Sequence, residues 1–292
     1  MSNKTLKIAI RKIKRKTKKG KSKSLLLQKL SNQTKFDFIE KIGKGNYSNV
    51  YLVKNKQNNK RTALKLEKIT DDNGNLLMNE ATILQNLHLN GCKVIPVIDW
   101  FGKIGKTYRG LSMTYFEATL MDIHFANDNE ILEIFDEMLD VLDEVHYRGV
   151  VHCDIKPQNF MFDGNGNIRL IDFGMSRFFV DGNKKFLPLQ KNITNDDEKI
   201  LYGTTNYASI WMHQKMFPYP RDDICSLVFV LFYLLNGKKK IWKSQESILT
   251  QKKQLLKNIN KNLNLTIKYP WMQDIMDWDY TDGINRNVFL TS

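Results

Sequence analysis

The sequence predicts an α+β protein with two lobes, a strand-rich first part followed by a helix-rich second part. Short apolar runs bounded by turn residues fill residues 36–116, a pattern typical of β-strands. From residue 117 onward, apolar residues recur mostly at helical spacing. We therefore predict one folded domain over residues 36–292, with a lobe over 36–116 and a second over 117–292.

A basic arm precedes this domain. Residues 1–36 carry 13 Lys or Arg and no Asp or Glu, so they account for most of the net charge of +14. Like charges at this density oppose compaction, and we predict a tail over residues 1–35, with a short helix at Leu25 to Leu30. Residues 1–23 could contact nucleic acid or another polyanion, serve as a nuclear import signal, or remain a solvated arm.

Composition excludes several other classes of protein. The three cysteines, Cys92, Cys153 and Cys225, form no CxxC pair, so a disulfide framework or a zinc site is not expected. The longest apolar run, Leu227 to Leu235, is about half of the roughly 20 residues that a membrane span needs. We expect a soluble intracellular protein without membrane contact, in the cytoplasm or nucleus. Its Asn- and Lys-rich composition would also suit a large DNA virus.

The elements of the first lobe follow in order. FDFIEKI, NVYLV and RTALKLE predict three strands, separated by a Gly-rich turn and by KNKQNNK. NLLMNEATILQNL predicts a helix because its apolar residues form a stripe. KVIPVIDWFGKI and TYRGLSMTYF predict two more strands.

The second lobe begins with the strongest helical pattern. EILEIFDEMLDVLDEVHYRG places six apolar residues on one face, Ile131, Ile134, Phe135, Met138, Leu142 and Val145. Further helices are predicted near residues 222–236 and 244–260.

The turn between the first two predicted strands is a candidate phosphate-binding loop. Glycines let backbone N–H groups approach a phosphate closely, although a plain turn with two glycines explains the pattern equally well. The loop continues into a strand, whereas a Rossmann phosphate loop opens a helix. Its residues are Ile42, Gly43, Lys44, Gly45, Asn46, Tyr47, Ser48, Asn49 and Val50.

Lys65 and Glu80 form a candidate pair. Lys65 lies in an apolar strand, where a solvent-facing lysine is the ordinary interpretation. Glu80 lies on the apolar stripe of the following helix, and a carboxylate that faces a core needs a partner. Lys65 is the candidate partner, and such a pair can direct an ammonium toward ATP phosphates.

The segment VVHCDIKPQNF, residues 150–160, carries the strongest signal. Phosphoryl transfer needs a carboxylate that accepts the proton of the attacking hydroxyl, which Asp154 provides, and a nearby cation, which Lys156 provides. The side-chain oxygens of Asn159 and of Asp172, in the following IDFG, suit Mg²⁺. These residues therefore predict phosphoryl transfer with Mg²⁺ as a cofactor.

These motifs together resemble the protein kinase superfamily. GTTNYASI at 203–210 and RDDICSL at 221–227 are similar to the casein kinase 1 group, which includes the vaccinia-related kinases. The resemblance implies a bilobal protein kinase fold, ATP in a cleft and a Ser/Thr kinase that acts on protein substrates. It further implies that Met113 is the gatekeeper, that Thr114 to Phe116 form the hinge, that Thr204 contacts Asp154 and Lys156, and that Asp223 anchors the catalytic loop.

The chain departs from the family pattern at four positions. Ser48 replaces the third glycine of the loop. Cys153 replaces the Arg that normally meets a phosphorylated activation loop, so we do not expect switching by such phosphorylation. Asn206 stands where the casein kinase 1 group often has an Arg that reads phosphate-primed substrates, and Val228 replaces a common Gly.

Two other functions stay open. A small-molecule phosphotransferase would share the catalytic Asp, the Asn and a later metal-binding Asp, but such enzymes generally lack Lys156 and the GTxxYAS segment. A pseudokinase scaffold could bind polyanions through residues 1–23 without catalysis, although this chain retains the catalytic residues.

Overall fold

The chain folds into two compact units. The computed structural model describes residues 25–45, 48–69, 76–187, 203–244 and 247–279, so the basic segment 1–23 lies outside the described residues. Of the described residues, those up to His124 together with Phe160–Gly174 form the first unit, and Phe125–Asn159 with those from Met175 onward form the second. The first is rich in strands and the second in helices, which confirms the α+β fold class.

Within the described ranges, the strands and α-helices have the following bounds. The strands are β1 Phe36–Lys44, β2 Ser48–Asn55, β3 Arg61–Lys68, β4 Ile98–Ile104, β5 Tyr108–Thr114, β6 Ala118–Thr119, β7 Val150–Val151, β8 Phe160–Phe162, β9 Ile168–Leu170 and β10 Arg177–Phe178. The helices are α1 Leu25–Asn32, α2 Leu76–Leu89, α3 Asp128–His146, α4 Pro220–Leu235, α5 Ile248–Lys257 and α6 Leu263–Lys268. All five strands predicted for the first lobe are confirmed.

The first unit is built on an antiparallel sheet of order β1-β2-β3-β5-β4. Side chains alternate between the two faces of a strand, and the core takes alternate residues of β3, Thr62, Leu64 and Leu66. In β1, the fully buried Phe36 meets Trp100 edge to face with ring centroids 5.6 Å apart. A smaller sheet of order β6-β8-β9 completes this unit.

Helix α2 positions Glu80. Its buried face includes Leu77, Ile83 and Leu84 together with Glu80, which is 1% exposed. The prediction that this carboxylate shares the apolar stripe of the helix is therefore confirmed.

The second unit is built around α3 and α4. Asn127 caps α3 by accepting a hydrogen bond from the Glu130 amide at 3.1 Å, and Pro220 begins α4 with a fixed φ that suits a helix start. The predicted helix near 244–260 is confirmed as the shorter α5. No helix among the described residues is both long enough and apolar enough to cross a membrane.

Helix α1 packs on the first sheet. Leu30 is 3% exposed and belongs to the same apolar cluster as Phe36. The Lys56 ammonium donates to the carbonyl oxygens of Ser31 at 2.5 Å and Thr34 at 3.0 Å. The predicted short helix is confirmed, and these contacts show that it packs on the first unit.

We expect truncation to separate the arm from α1. Removal of residues 1–23 should leave the midpoint of thermal unfolding within about 1 °C. Removal of residues 1–35 should lower the free energy of unfolding by roughly 2–4 kcal/mol, because it exposes the cluster that Leu30 covers and breaks the Lys56 bonds. Equal unfolding midpoints for the two truncations would contradict this packing role.

Candidate active site

The residues predicted to act on ATP fall in two groups, one in each compact unit. In the first unit, the Lys65 ammonium on β3 lies 2.6 Å from Glu80 Oε2 and 2.5 Å from Asp172 Oδ1. The structure thus brings Lys65 and Glu80 together as the sequence predicted, and it adds Asp172 to the pair. Two carboxylates share one ammonium, so these three groups together carry a net charge of −1 when all are ionised.

Burial and charge act in opposite directions on these groups. Burial alone would lower the pKa of Lys65, but Glu80 and Asp172 stabilise its charged form and raise that pKa above its ordinary value. Burial raises the pKa of Glu80, and the Asp172 charge adds to this rise while Lys65 opposes it. The lysine therefore stays an ammonium through the whole physiological pH range.

The backbone around Asp172 is held in an unusual conformation. Asp172 has φ of +70°, a region that non-glycine residues rarely adopt. Two residues on, the Gly174 carbonyl accepts a hydrogen bond from the Asn79 side chain at 3.1 Å. Helix α2 thus fixes both the lysine, through Glu80, and the segment that carries Asp172, through Asn79.

The Gly-rich turn joins β1 to β2. The Gly45 amide donates to the Ser48 carbonyl at 2.8 Å, and Gly43 pairs with Val50 in the sheet. A Cβ at Gly43 or Gly45 would make only ordinary contacts, at 3.4 Å or more, and neither glycine has a positive φ. The turn itself therefore does not require these glycines. Asn46 and Tyr47 lie outside the described residues.

The second group lies in the loop after β7. The Asp154 carboxylate, on a residue that is 7% exposed, accepts from the Thr204 hydroxyl at 2.7 Å on Oδ1 and pairs with the Lys156 ammonium through Oδ2. The Asn159 amide nitrogen donates to the Asp154 carbonyl at 2.8 Å, and its own side-chain oxygen stays an acceptor. The structure thus joins Asp154, Lys156, Asn159 and Thr204 in one hydrogen-bonded group.

Asp223 on α4 fixes this loop by accepting hydrogen bonds from its backbone amides. One carboxylate oxygen accepts from the His152 amide at 2.7 Å, and the other accepts from the Cys153 amide at 2.9 Å. His146 Nε2 lies 2.9 Å from the same carboxylate. His152 itself is fully buried, as expected of a packed core histidine.

Gly203 is required where the chain returns to this loop. It has φ of +78°, and a Cβ there would lie 2.6 Å from the Cys153 carbonyl oxygen. No other residue fits at this distance, so Gly203 lets Thr204 approach Asp154.

Comparison with known proteins agrees with this geometry. Residues 36–283 match the model of the protein kinase domain. The chain belongs to the protein kinase family. It is also 31% identical over 260 residues to a probable casein kinase I homolog of Encephalitozoon cuniculi, an alignment that spans 87% of this chain and 76% of the relative. The predicted resemblance to the casein kinase 1 group is therefore confirmed, as is the bilobal kinase fold class.

The predicted gatekeeper and hinge of this kinase domain lie at the end of β5. Met113 pairs with Ala63 on β3 and with Ile98 on β4, and it is 7% exposed. Phe116 follows the strand and is 8% exposed. Their contact with a nucleotide stays a prediction.

Side chains of Lys252 on α5 and of Trp242 in the connection between α4 and α5 hold the segment after Thr204. The Lys252 ammonium on α5 donates to the carbonyl oxygens of Thr205 at 2.8 Å and Ala208 at 2.5 Å. Trp242 Nε1 donates to the carbonyl oxygen between them, that of Asn206, at 2.7 Å. The sequence analysis missed Lys252, although it lies midway between Ile248 and Leu256 at a spacing of four residues. Glu80 was identified because a charged residue lies on the apolar stripe of a helix, and the same signal marks Lys252.

A cavity of about 580 Å³ opens beside this segment. Lys156, Thr204 and Asn206 form part of its wall, and Lys238 and Lys240 from the chain after α4 form another part. Lys156 is paired with Asp154, so the positive potential of the cavity comes mainly from Lys238 and Lys240.

We expect Asp223 to carry much of the stability of the catalytic loop. Asp223→Ala leaves two buried amides without an acceptor, and each such loss costs about 1–3 kcal/mol, so urea denaturation should show a free energy of unfolding reduced by roughly 2–5 kcal/mol. Asp223→Asn keeps one acceptor oxygen, so its free energy of unfolding should lie between those of the alanine variant and the wild type. An alanine variant as stable as the wild type would contradict this anchoring role.

Proposed function

We propose that this protein is an ATP-dependent Ser/Thr protein kinase with Asp154 as the catalytic base. The observation that carries the proposal is the bonding of Asp154, whose carboxylate is held between the Thr204 hydroxyl and the Lys156 ammonium in a buried loop. A base must be fixed in position before the acceptor arrives, and this carboxylate is fixed at both oxygens and at its main chain.

In the proposed reaction, the hydroxyl oxygen of the acceptor forms a bond to the γ-phosphorus of ATP while the bond from that phosphorus to the bridging oxygen of ADP breaks. The hydroxyl proton passes to Asp154. Lys156, beside Asp154, offsets the negative charge of the transferred phosphoryl group. The bond from Thr204 to Asp154 supports Ser and Thr as acceptors, since this pairing accompanies Lys156 in kinases of that specificity.

The residues of the first unit suit the phosphates of ATP. Lys65 stays charged and is held by two carboxylates. Because the turn does not itself require Gly43 and Gly45, close approach of a phosphate to the backbone N–H groups offers a reason for both. We propose the same role for the rest of the loop from Ile42 to Val50.

The donor set also fits Mg²⁺. Asp172 keeps 41% of its side chain exposed within a cluster that has one negative charge in excess, and the Asn159 amide group is oriented by its bond to Asp154. Carboxylate and amide oxygens are ligands that a hard cation prefers. When bound, Mg²⁺ would supply positive charge that offsets the charge of the phosphate oxygens.

The charge of the second compact unit favours an acidic protein as the substrate. The cavity beside Thr204 carries Lys156, Lys238 and Lys240 on its wall, so an acidic or phosphorylated side chain near the acceptor residue would find a complementary potential. The basic segment 1–23 is proposed to recruit polyanionic partners independently of catalysis.

Neither alternative function gains support from a specific contact. A scaffold without catalysis would not need Asp154 bonded to both Thr204 and Lys156. A small-molecule phosphotransferase would not need a segment at 203–210 that resembles the substrate-binding segment of casein kinase 1.

We expect three substitutions to abolish phosphoryl transfer without unfolding the protein. Lys65→Met and Asp172→Asn should lower kcat/KM at least 100-fold through loss of nucleotide and metal contacts, and Asp154→Asn should lower kcat similarly while ATP binding is retained. The assay is transfer of labelled phosphate to a protein panel, with phosphoamino-acid analysis of the product.

Lys68→Met, on the same strand as Lys65 but exposed, is the matched control and should keep the wild-type rate. Unchanged labelling by Asp154→Asn would rule out Asp154 as the base, and phosphotyrosine as the main product would rule out Ser/Thr specificity.

We further expect the double variant Lys238→Ala and Lys240→Ala to discriminate between substrates. Its kcat/KM should fall about tenfold for an acidic peptide, the equivalent of roughly 1.4 kcal/mol, and should be unchanged for a neutral peptide with the same acceptor. Lys239→Ala removes an exposed lysine between them that is not part of the cavity wall, and it serves as the control. Equal losses for both peptides would refute a charge-reading role.

A further inference from the structure

The segment from Thr204 to Ala208 combines two tasks that need a fixed backbone. Thr204 bonds to the proposed catalytic base, while Asn206 and Tyr207 form part of the cavity wall. The segment has no helix or strand to fix it, and its internal bonds run from the amides of Tyr207 and Ala208 to the Thr204 carbonyl, each at 2.8 Å. Its remaining contacts must therefore come from outside the segment.

Lys252 and Trp242, which we call the carbonyl clamp, supply these contacts. Between them they donate to the carbonyl oxygens of Thr205, Asn206 and Ala208. The Lys252 ammonium also lies over the rings of Phe229, at 4.8 Å, and Trp242, at 5.5 Å, so the two members of the clamp are packed on each other. Every bond of the clamp to the segment ends on the main chain, which makes the clamp independent of the side chains that face the cavity.

Packing alone does not account for a lysine at this position. Lys252 is fully buried, and removal of an ammonium from water is expensive unless it is well bonded. Burial lowers the pKa of Lys252 to about 7, with a small opposing effect of Cys225. The third polar neighbour, His213 Nε2, lies at 3.1 Å, and its own pKa is lowered to about 4, first by burial and then by the lysine charge. An apolar residue between Ile248 and Leu256 would avoid these costs, whereas only a donor can hold the carbonyls.

We infer that Lys252, together with Trp242, is a positioning residue for the phosphoacceptor substrate: the clamp holds the Thr204–Ala208 segment in the shape that binds the acceptor peptide. This inference rests on the proposed kinase function for its substrate. Neither clamp residue contacts a reacting group. Their effect reaches the peptide through the backbone of Asn206 and Tyr207.

The test compares Lys252→Met with Lys257→Met. Methionine keeps an unbranched apolar chain, one heavy atom shorter than that of lysine, but donates no hydrogen bond. Lys257 is an exposed residue of the same helix. Lys252→Met should raise the KM for a peptide substrate about tenfold and should leave the KM for ATP within twofold of the wild type. Lys257→Met should change neither constant.

A second variant covers the case in which Lys252→Met does not fold. Trp242→Phe keeps an aromatic ring beside Phe229 but loses the indole N–H that bonds to Asn206, together with part of the ring system. It should raise the peptide KM about three- to fivefold, again without effect on the KM for ATP. Amide hydrogen exchange provides a measurement that needs no activity: residues 203–209 should exchange at least tenfold faster in either clamp variant, while α2 should exchange as in the wild type.

Three outcomes would overturn the inference. The first is a fall in kcat that matches the loss of folded protein while the peptide KM is unchanged, which would make Lys252 a packing residue. The second is an equal rise in the KM values for peptide and ATP. The third is unchanged exchange of residues 203–209 in both variants. If the wild-type protein phosphorylates no peptide, the proposed function is wrong, and the exchange measurement alone decides whether the clamp positions the segment.

Discussion

The buried carboxylate of Asp223 is the constraint on which the geometry of the second unit depends. It accepts hydrogen bonds from two consecutive amides, those of His152 and Cys153, so these residues must turn both N–H groups toward α4. Cys153 meets this demand with φ of +69°, a conformation that costs a non-glycine residue of order 1 kcal/mol or more. The bonds to Asp223 offset that strain.

The consequences of this turn reach the proposed base directly. The reversal at Cys153 directs the next residue, Asp154, toward Thr204 and Lys156, and it brings the Cys153 carbonyl so close to Gly203 that only glycine fits there. One carboxylate on α4 therefore determines the position of Asp154, the side from which Thr204 approaches, and the identity of residue 203.

Two lysines, the half-buried Lys65 and the fully buried Lys252, show how surroundings give the same side chain different roles. Lys65 lies between two carboxylates, which raise its pKa and keep it cationic, as a group that binds phosphates must be. Lys252 lies among carbonyl oxygens, aromatic rings and a histidine, and burial lowers its pKa to about 7. Dipoles compensate a buried charge less well than ions do. Lys65 therefore suits a role that depends on charge, and Lys252 suits one that depends on its N–H donors.

The sequence predicted those features that a local pattern marks. The strand pattern predicted β1 to β5. The apolar stripe predicted α2 and, because Glu80 lies on that stripe, it also predicted that the Glu80 carboxylate has a partner. The pairing of Lys65 followed because a carboxylate on an apolar face requires a cation. Asp172 as a second partner of Lys65 did not follow, since it lies 107 residues away along the chain and no periodicity connects them.

Lys252 was missed for a related reason. Its stripe position was visible, but its partners are backbone carbonyls, which every residue has and which no sequence pattern marks. The packing of α1 on the first sheet was not predicted for a different reason. The basic residues that begin in the arm continue to Lys35, beyond α1, so the short apolar side of this eight-residue helix does not stand out in the sequence.

The replacement of arginine by Cys153 connects these observations. A guanidinium at this position would carry a permanent charge and would bind a phosphate on the activation loop, whereas burial raises the pKa of the Cys153 thiol and keeps it neutral. Its Sγ lies 3.6 Å from the Val151 carbonyl, within the loop rather than toward a distant anion. The bonds from Lys252 and Trp242, together with the bond from the Ser209 hydroxyl to the buried Asp222, hold residues 205–209 by contacts that are present without any modification. We therefore expect the shape of the substrate segment to be built into the fold, without dependence on phosphorylation of the activation loop.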